Sequence, residues 1–165
     1  MTLPTSPTID RIRENASYVR LTRHVLETTL ETASSSNITF LDTYLTAEAD
    51  SRHNSTIKRL LQQAHLPGIK TLDGYDWNRL TLPEGLTPTS LENLDFLTGH
   101  EDLICYGDVG CGKTHLATAL TRQACLHGHH ARFTTAADLV MTLRKATTEG
   151  CLDRELANHT NFDLL

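Results

Sequence analysis

The sequence predicts an α/β fold in two parts, an N-terminal helical module followed by the first part of a three-layer α/β/α domain. Up to residue 66, apolar residues recur every three or four positions, which is the spacing of amphipathic helices. From residue 101, a short apolar segment, a glycine-rich loop and a helical pattern follow one another. We therefore divide the chain into a helical module at 1–66, a connector at 67–90 and an incomplete α/β domain at 91–165.

Two helices are expected in the N-terminal module, after a disordered arm at 1–8 that is rich in proline, serine and threonine. The first begins near Ile9, is interrupted at Arg23 and ends in the polar run 34–37. The second runs over 39–65 and stops at the Pro-Gly pair that follows. Their apolar positions are Ile9, Ile12, Ala16, Val19, Leu26, Leu30 and Ala33, then Leu41, Tyr44, Leu45, Ile57, Leu60, Leu61 and Ala64.

The connector is rich in proline, glycine and threonine and contains the aromatic residues Tyr75 and Trp77. These rings either pack beside a bound base or anchor the connector, and the usual burial of large aromatic residues favours anchoring. A short helix is expected from Thr89, which has capping-box spacing, to Thr98, with Gly99 as its stop.

The α/β part is predicted to alternate strands and helices. The expected strands are Leu103–Tyr106, which should be buried, Arg132–Thr135 and Asn161–Leu165; the expected helices are Lys113–Leu126, Ala136–Ala146 with Thr135 as its cap, and Cys151–His159. In the helix after Thr135, the side chains of Leu139, Val140 and Leu143 are expected to point inward.

The segment Gly107–Thr114, GDVGCGKT, fits the phosphate-binding P-loop pattern G-x-x-x-x-G-K-[ST]. Its glycines allow a tight turn whose N–H groups point at a phosphate, and Lys113 supplies a cation for the β- and γ-phosphates. The Thr114 hydroxyl is the expected protein ligand of Mg²⁺. The predicted nucleotide-binding residues are Gly107, Asp108, Val109, Gly110, Cys111, Gly112, Lys113, Thr114 and His115.

The charge pattern gives no general argument for nucleic-acid binding, because the formal net charge is −5 and residues 1–60 carry equal numbers of basic and acidic side chains. A local group of basic residues could still bind nucleic acid. Arg52, Lys58 and Arg59 on the second helix either contact DNA phosphates or form a solvated polar face, which nearby Glu48 and Asp50 favour.

Neither a membrane span nor a secretory signal is present in the sequence, and the four cysteines contain no C-x-x-C pair. We therefore expect a cytoplasmic protein with reduced thiols. His127, His129 and His130 could hold a metal ion, but their position in a helix-to-strand turn without a cysteine or carboxylate at ligand spacing favours an exposed turn.

In four stretches the sequence resembles the IstB-like ATPases, the AAA+ helper proteins of an insertion-sequence transposase, which are related to the DnaC helicase loaders. The matching stretches are Leu94–Leu97, Gly107–Leu120, Arg132–Leu139 and Phe162–Leu165. Residues 64–67, 70–72 and 75–76 are similar to the family's linker. The resemblance covers about residues 38–165 and implies binding of ATP and Mg²⁺, sequence-tolerant DNA binding, self-assembly and a transposase partner.

One departure from the family is large. In the family, the strand that begins like Phe162–Leu165 continues to an acidic pair, the Walker B motif, which holds Mg²⁺ and positions the attacking water. This pair, the sensor strand and an arginine finger are not in the sequence, so the chain resembles the N-terminal part of a longer protein. The AAA+ strand order 5-1-4-3-2 would leave Leu103–Tyr106 without neighbours, and we expect low stability or a different pairing.

Three functions are compared. The first is an ATP-binding transposition helper; the second is a non-catalytic fragment that acts only as a DNA or protein interaction module; the third is another P-loop enzyme such as a small kinase, which the two N-terminal helices disfavour. Because no Walker B acid is present, we expect nucleotide binding without useful ATP turnover.

Overall fold

The computed structural model of the chain describes residues 7–165, and within that range helices dominate. The α-helices are α1 (Pro7–Tyr18), α2 (Arg23–Thr32), α3 (Ser35–Gln63), α4 (Pro88–Glu92), α5 (Asp95–Thr98), α6 (Lys113–Leu126), α7 (Ala136–Thr148) and α8 (Leu152–Thr160), with a 3₁₀ turn at Trp77–Arg79. No helix among the described residues is long and apolar enough to cross a membrane.

The backbone contacts divide the chain into two compact units, with the division inside α3 between Thr56 and Ile57. In the first unit, α1, α2 and the N-terminal part of α3 form a small core. Its buried side chains are those of Ile9, Ile12, Ala16, Val19, Leu26, Leu30 and Leu45. These are positions that the helical spacing predicts to be apolar and inward, so the amphipathic pattern is confirmed there.

Ion pairs join the three helices of the first unit. The Arg13 guanidinium donates from Nε and Nη2 to the two carboxylate oxygens of Glu27, each at 2.9 Å. Arg11 of α1 is paired in the same two-point manner with Asp42 of α3. These hydrogen bonds lower the pKa of the Glu27 and Asp42 carboxyls, and burial opposes the shift in both cases.

Two helix boundaries in this unit differ from expectation. The first helical stripe is two helices, because the chain turns between them with Arg20 at a φ of 62°. The polar run at 34–37 opens α3 instead of ending a helix. The physical reason is that the Ser34 hydroxyl accepts the Asn37 N–H at 3.3 Å, a capping contact that satisfies a free donor of the first turn.

Helix α6 lies at the centre of the second unit. Leu116, Ala119, Leu120, Ala124 and Cys125 of this helix are buried. Around them pack Leu60, Ala64, Leu72, Leu91, Leu94, Phe96 and Ala131. The predicted bounds of the helix, Lys113–Leu126, are confirmed. Because α6 is packed into this core, the end of the glycine loop is fixed to a buried helix.

The expected single helix over 89–98 is two short helices. Leu94 has a φ of 62°, a left-handed conformation that interrupts the helix between α4 and α5. The cap is Thr87, not Thr89: its hydroxyl accepts the Ser90 N–H at 3.1 Å, and the Ser90 hydroxyl accepts the Thr87 N–H at 2.9 Å. A serine thus takes the place that glutamate usually has in a capping box.

The predicted buried strand at Leu103–Tyr106 is wrong. Leu103 packs against the core, but Ile104 and Tyr106 are 83% and 92% exposed. A buried strand needs neighbours that pair its N–H and C=O groups, and within residues 7–165 no strand ladder forms. The segment has no regular secondary structure and belongs to no sheet.

In place of the other two predicted strands, the structure has an isolated parallel bridge between Leu164 and Ala131, the residue before the predicted strand Arg132–Thr135. The Arg132 N–H donates to the Leu164 carbonyl at 2.9 Å, and the Asp163 N–H donates to the His130 carbonyl at 2.7 Å. These contacts place residues 130–132 beside residues 163–164, but neither segment forms a strand. The three-layer α/β/α architecture is therefore not confirmed.

Helix α7 is capped as predicted, because the Thr135 hydroxyl accepts the Asp138 N–H at 3.1 Å. The inward orientation expected for Val140 is wrong, since this side chain is 47% exposed. Leu139 and Leu143 are half-buried, and Ala146 is the buried residue of the helix. α7 packs mainly against α8, so only part of its apolar face is covered.

Candidate phosphate-binding loop

The glycine loop 107–112 is an exposed turn that leads directly into α6. Gly107, Gly110 and Gly112 have φ values of 142°, 83° and 99°, in the region that L-residues with a side chain rarely adopt. Gly112 is the residue that precedes the first turn of α6. The turn therefore has a positive-φ glycine at Gly107 and Gly112, the two glycines that the sequence motif fixes, and at Gly110, which occupies one of its variable positions.

Lys113 is the first residue of α6, and its side chain folds back over the loop. Its Nζ atom donates to the carbonyl of Gly107 at 2.8 Å and to that of Asp108 at 2.7 Å. The same ammonium lies 3.6 Å from the Cys111 Sγ atom. A unit positive charge is thus held over the loop by backbone carbonyls, beside the N-terminus of a fourteen-residue helix whose dipole also favours anions.

Thr114 and His115 occupy the first turn of α6 and differ in their surroundings. Thr114 is exposed, and its backbone carbonyl accepts the Thr118 hydroxyl at 2.6 Å. His115 is half-buried, with its Nε2 atom 3.4 Å from the Thr71 carbonyl. Its ring lies 5.5 Å from the ring of Tyr75. Thr114 is free to contact a ligand, whereas His115 links the helix to the connector.

Two aromatic residues of the connector, Tyr75 and Trp77, pack beside the glycine loop. Tyr75 and Trp77 form an edge-to-face pair with ring centroids 4.9 Å apart, and both pack partly buried against the core of the second unit. Burial raises the pKa of the Tyr75 phenol, and the thiols of Cys105 and Cys111 act in the same direction. A Cβ atom on Gly112 would lie 3.8 Å from the Tyr75 hydroxyl oxygen. The pair therefore anchors the connector beside the loop.

A cavity of about 740 Å³ opens next to the loop. One wall is the segment 101–107, another is the connector at 79–86, and Cys111 and Lys113 close it on the loop side. Reasoning from sequence missed these connector residues and the Thr71 carbonyl. They lie 21 or more positions from the loop, and no local pattern signals such a contact.

Arg52, Lys58 and Arg59 are the candidate DNA contacts that the sequence left open beside a solvated polar face. The Arg52 side chain donates to Glu48 Oε1 at 2.7 Å and to the Val19 carbonyl at 3.1 Å, so it is engaged within the first unit. Lys58 and Arg59 are exposed, and no ion pair within residues 7–165 involves either of them.

The histidines after α6 do not converge. His129 Nδ1 lies 3.7 Å from Asp163 Oδ2, while His127 Nε2 lies 3.3 Å from the Gln123 amide nitrogen. In the part of the chain that the structure describes, no three His, Cys, Asp or Glu side chains form a group able to hold a metal ion.

A comparison with protein-family models finds a match to the family described as IstB-like ATP binding protein, over residues 17–165. The match includes the glycine loop and all of α6.

Curated relatives agree with this match. A protein of Pseudomonas aeruginosa, named as an ATP-binding protein of insertion sequence IS21, is 36% identical over 139 residues, or 82% of this chain and 52% of the relative. One of Geobacillus stearothermophilus, named for insertion sequence IS5376, is 35% identical over 129 residues, or 76% of this chain and 51% of the relative. A third, of Pseudomonas fluorescens and insertion sequence IS1162, is 34% identical over 116 residues, covering 69% and 50%. The chain thus spans about half the length of these relatives.

Proposed function

Because the chain belongs to the IstB-like ATP-binding protein family, whose relatives come from insertion sequences, we propose that it is an ATP-binding helper of an insertion-sequence transposase, with Gly107–His115 as the phosphate site. The observation that carries the proposal is the position of Lys113. Its ammonium is held at 2.7–2.8 Å from two loop carbonyls, over a turn of three positive-φ glycines at a helix N-terminus. Anion-binding loops combine these features.

Each loop residue has a proposed role that follows from its position. The backbone N–H groups of Val109 to Gly112 would surround a phosphate, because glycine at 107, 110 and 112 allows the positive-φ backbone of the turn. Lys113 would neutralise charge on the β- and γ-phosphates. The exposed Thr114 hydroxyl is the proposed protein ligand of Mg²⁺, which would neutralise further phosphate charge when bound.

The proposal includes two further parts that follow from the family, the fold of the domain and the partners of the protein. The domain from residue 91 would take the three-layer AAA+ fold, for which α6 behind the loop and the parallel bridge Ala131–Leu164 are support. The partners would be a transposase, DNA and further copies of the helper. Of the proposed DNA contacts, Lys58 and Arg59 fit better than Arg52, because Arg52 is already bound to Glu48 and Val19.

Replacement of Lys113 tests the phosphate site. Lys113→Ala removes a charge-assisted contact, and we expect nucleotide binding to weaken by about 1.5–3 kcal/mol, or roughly 10- to 150-fold in Kd. The matched control is Lys145→Ala, which removes an exposed lysine of α7 and should leave the Kd for ATP and ADP unchanged. The affinities are measured by titration calorimetry. Equal affinity in the wild type and Lys113→Ala would overturn the proposal.

A further inference from the structure

A cysteine lies inside the proposed phosphate loop, in contact with its lysine. The Cys111 Sγ atom is 3.6 Å from Lys113 Nζ, and the residue is exposed. A Cβ atom placed on Gly107 would lie 3.1 Å from this sulfur, so the thiol is packed against the first glycine of the loop. Cys105 lines the same cavity of about 740 Å³. Two thiols and an ammonium group therefore share one accessible space.

The four thiols differ in exposure and in neighbouring charge, and these differences indicate which of them is the most reactive. Reactive cysteines lie in electropositive, partly exposed surroundings. Cys125 is fully buried in the core, and burial raises the pKa of its thiol. Burial also raises the pKa of the Cys105 thiol, and the neighbouring Cys111 raises it further. Cys151 is half-buried, with its sulfur 4.0 Å from a carboxylate oxygen of Glu149. Cys111 combines exposure with a cation.

We propose that Cys111 is a modification site for small soft electrophiles, and that its modification and the binding of a nucleotide phosphate exclude each other. The reagent class in a cell is a peroxide. The inference rests on the proposed function only for its second half, since the reactivity of the thiol is independent of any nucleotide.

The oxidation step is balanced with hydrogen peroxide as the oxidant. The Cys111 thiolate attacks one peroxide oxygen, an S–O bond forms as the O–O bond breaks, and the displaced hydroxide takes up the proton that the thiol lost and leaves as water. Sulfur loses two electrons to become a sulfenic acid, and the peroxide gains them. Lys113, 3.6 Å from the sulfur, is placed to hydrogen-bond the oxygen that is added.

Mutual exclusion follows from the packing of the loop. A group added to the sulfur starts next to the Lys113 ammonium group and next to Gly107, where a single Cβ would already be tight. The added group therefore pushes on the turn or occupies Lys113. In the opposite direction, a phosphate held by Lys113 and the loop N–H groups covers the thiol.

The test uses the full chain with two reagents, N-ethylmaleimide and hydrogen peroxide followed by dimedone. Peptide mass spectrometry measures the fraction modified at each of the four cysteines over time, with and without saturating ADP. We expect Cys111 to react at least about tenfold faster than Cys125 and Cys151, and ADP to slow the reaction at Cys111 by about as much. A Cys111 rate no higher than that of Cys151 overturns the inference.

The functional arm measures the Kd for ADP before and after maleimide treatment. Treatment should abolish binding in the wild type and in the control variant Cys151→Ser. In Cys111→Ser, treatment should not change whatever affinity the variant has beforehand. Unchanged ADP binding by fully Cys111-labelled wild type would overturn mutual exclusion and leave the proposed function intact. Absence of ADP binding before treatment would count against the proposed function, and the labelling rates alone would then decide the modification site.

Discussion

At the scale of single residues, the backbone of the glycine loop carries the strongest sequence requirement. Gly110 has a φ of 83° and open space around it, so a methyl group there would meet no atom within 4 Å. Its need for glycine is purely conformational. Gly68 also has open space around it, but its φ lies outside the positive region. A substitution at Gly68 therefore adds a Cβ atom without the strain of a left-handed backbone.

We predict that Gly110→Ala destabilises the chain by about 1–2 kcal/mol, the cost of the left-handed conformation for a residue with a Cβ atom. Gly68→Ala should be neutral or stabilising by up to about 1 kcal/mol, because it restricts only the unfolded chain. Urea unfolding followed by the fluorescence of Trp77, the single tryptophan, measures both. A loss of stability of equal size in the two variants would contradict the conformational explanation.

At the scale of secondary-structure elements, side-chain caps decide where helices begin. Ser34, Thr87 and Thr135 each accept a backbone N–H of the first turn that follows. Only the cap at Thr135 was assigned correctly from the sequence, because serines and threonines are frequent in this chain and several neighbouring positions satisfy the same spacing rule. Which of them caps is decided by how the helix packs.

Thr135→Ala should destabilise the second unit by about 1 kcal/mol, since the Asp138 N–H loses its acceptor. The control is Thr147→Ala in the same helix. The Thr147 hydroxyl donates to the Leu143 carbonyl at 2.9 Å, which already accepts a helical N–H, so removing the hydroxyl should change stability by less than about 0.5 kcal/mol. Thermal unfolding followed by circular dichroism measures the stability of the two variants. Similar losses of stability would show that the Thr135 cap does not stabilise α7.

The pair between Arg11 and Asp42 links α1 to α3 and makes the first unit sensitive to acid. Arg11 lowers the pKa of Asp42 from its ordinary value of 3.8, so the contribution of the pair is fully present above that pH. It is lost as the pH falls through the lowered pKa. We therefore expect Asp42→Asn to be less stable than the wild type at pH 7, with a difference that shrinks as the pH falls through the lowered pKa of Asp42.

Urea unfolding at several pH values, followed by circular dichroism, measures that difference. Glu31→Gln is the matched control, because Glu31 is an exposed carboxylate of α2 and no ion pair within residues 7–165 involves it. This variant should follow the wild type throughout. A stability difference for Asp42→Asn that stays constant from neutral to acid pH would show that the Arg11 pair is not its cause.

At the scale of the whole molecule, the formal net charge of −5 opposes DNA binding, so the proposed affinity for DNA would have to come from a local group of basic residues. Lys58 and Arg59 are exposed and outside the ion pairs of the described residues, whereas Arg52 has Glu48 as its partner. The three residues are therefore unequal candidates.

We predict that Lys58→Ala/Arg59→Ala lowers the slope of log affinity for duplex DNA against log salt by about two units, one for each DNA phosphate that the variant no longer neutralises. Arg52→Ala should lower it by less than one, because Glu48 already neutralises that charge. Lys145→Ala serves as the control for a lysine elsewhere on the surface. An unchanged slope in the double variant would show that Lys58 and Arg59 do not contact DNA phosphates and only form a solvated polar face.

The sequence by itself determined the features that depend on local chemistry. The helical stripe from Ile9 to Leu30, the bounds of α6 and the cap at Thr135 follow from the spacing of apolar residues and from short-range hydrogen bonds. The positive-φ glycines Gly107 and Gly112 and the start of α6 at Lys113 lie where the sequence motif places them, while phosphate binding by this loop stays a prediction. The family followed from the same stretches and is confirmed by the match over residues 17–165.

Only the tertiary structure decided the features that depend on distant partners. The apolar segment Leu103–Tyr106 has the composition of a buried strand, yet a strand exists only where another pairs with it, and Ile104 and Tyr106 remain exposed. The contacts of His115 with Thr71 and Tyr75 likewise depend on how the chain folds back on itself. Spacing along the sequence sets which side chains share a helix face, but contacts between distant segments are set by packing of the core.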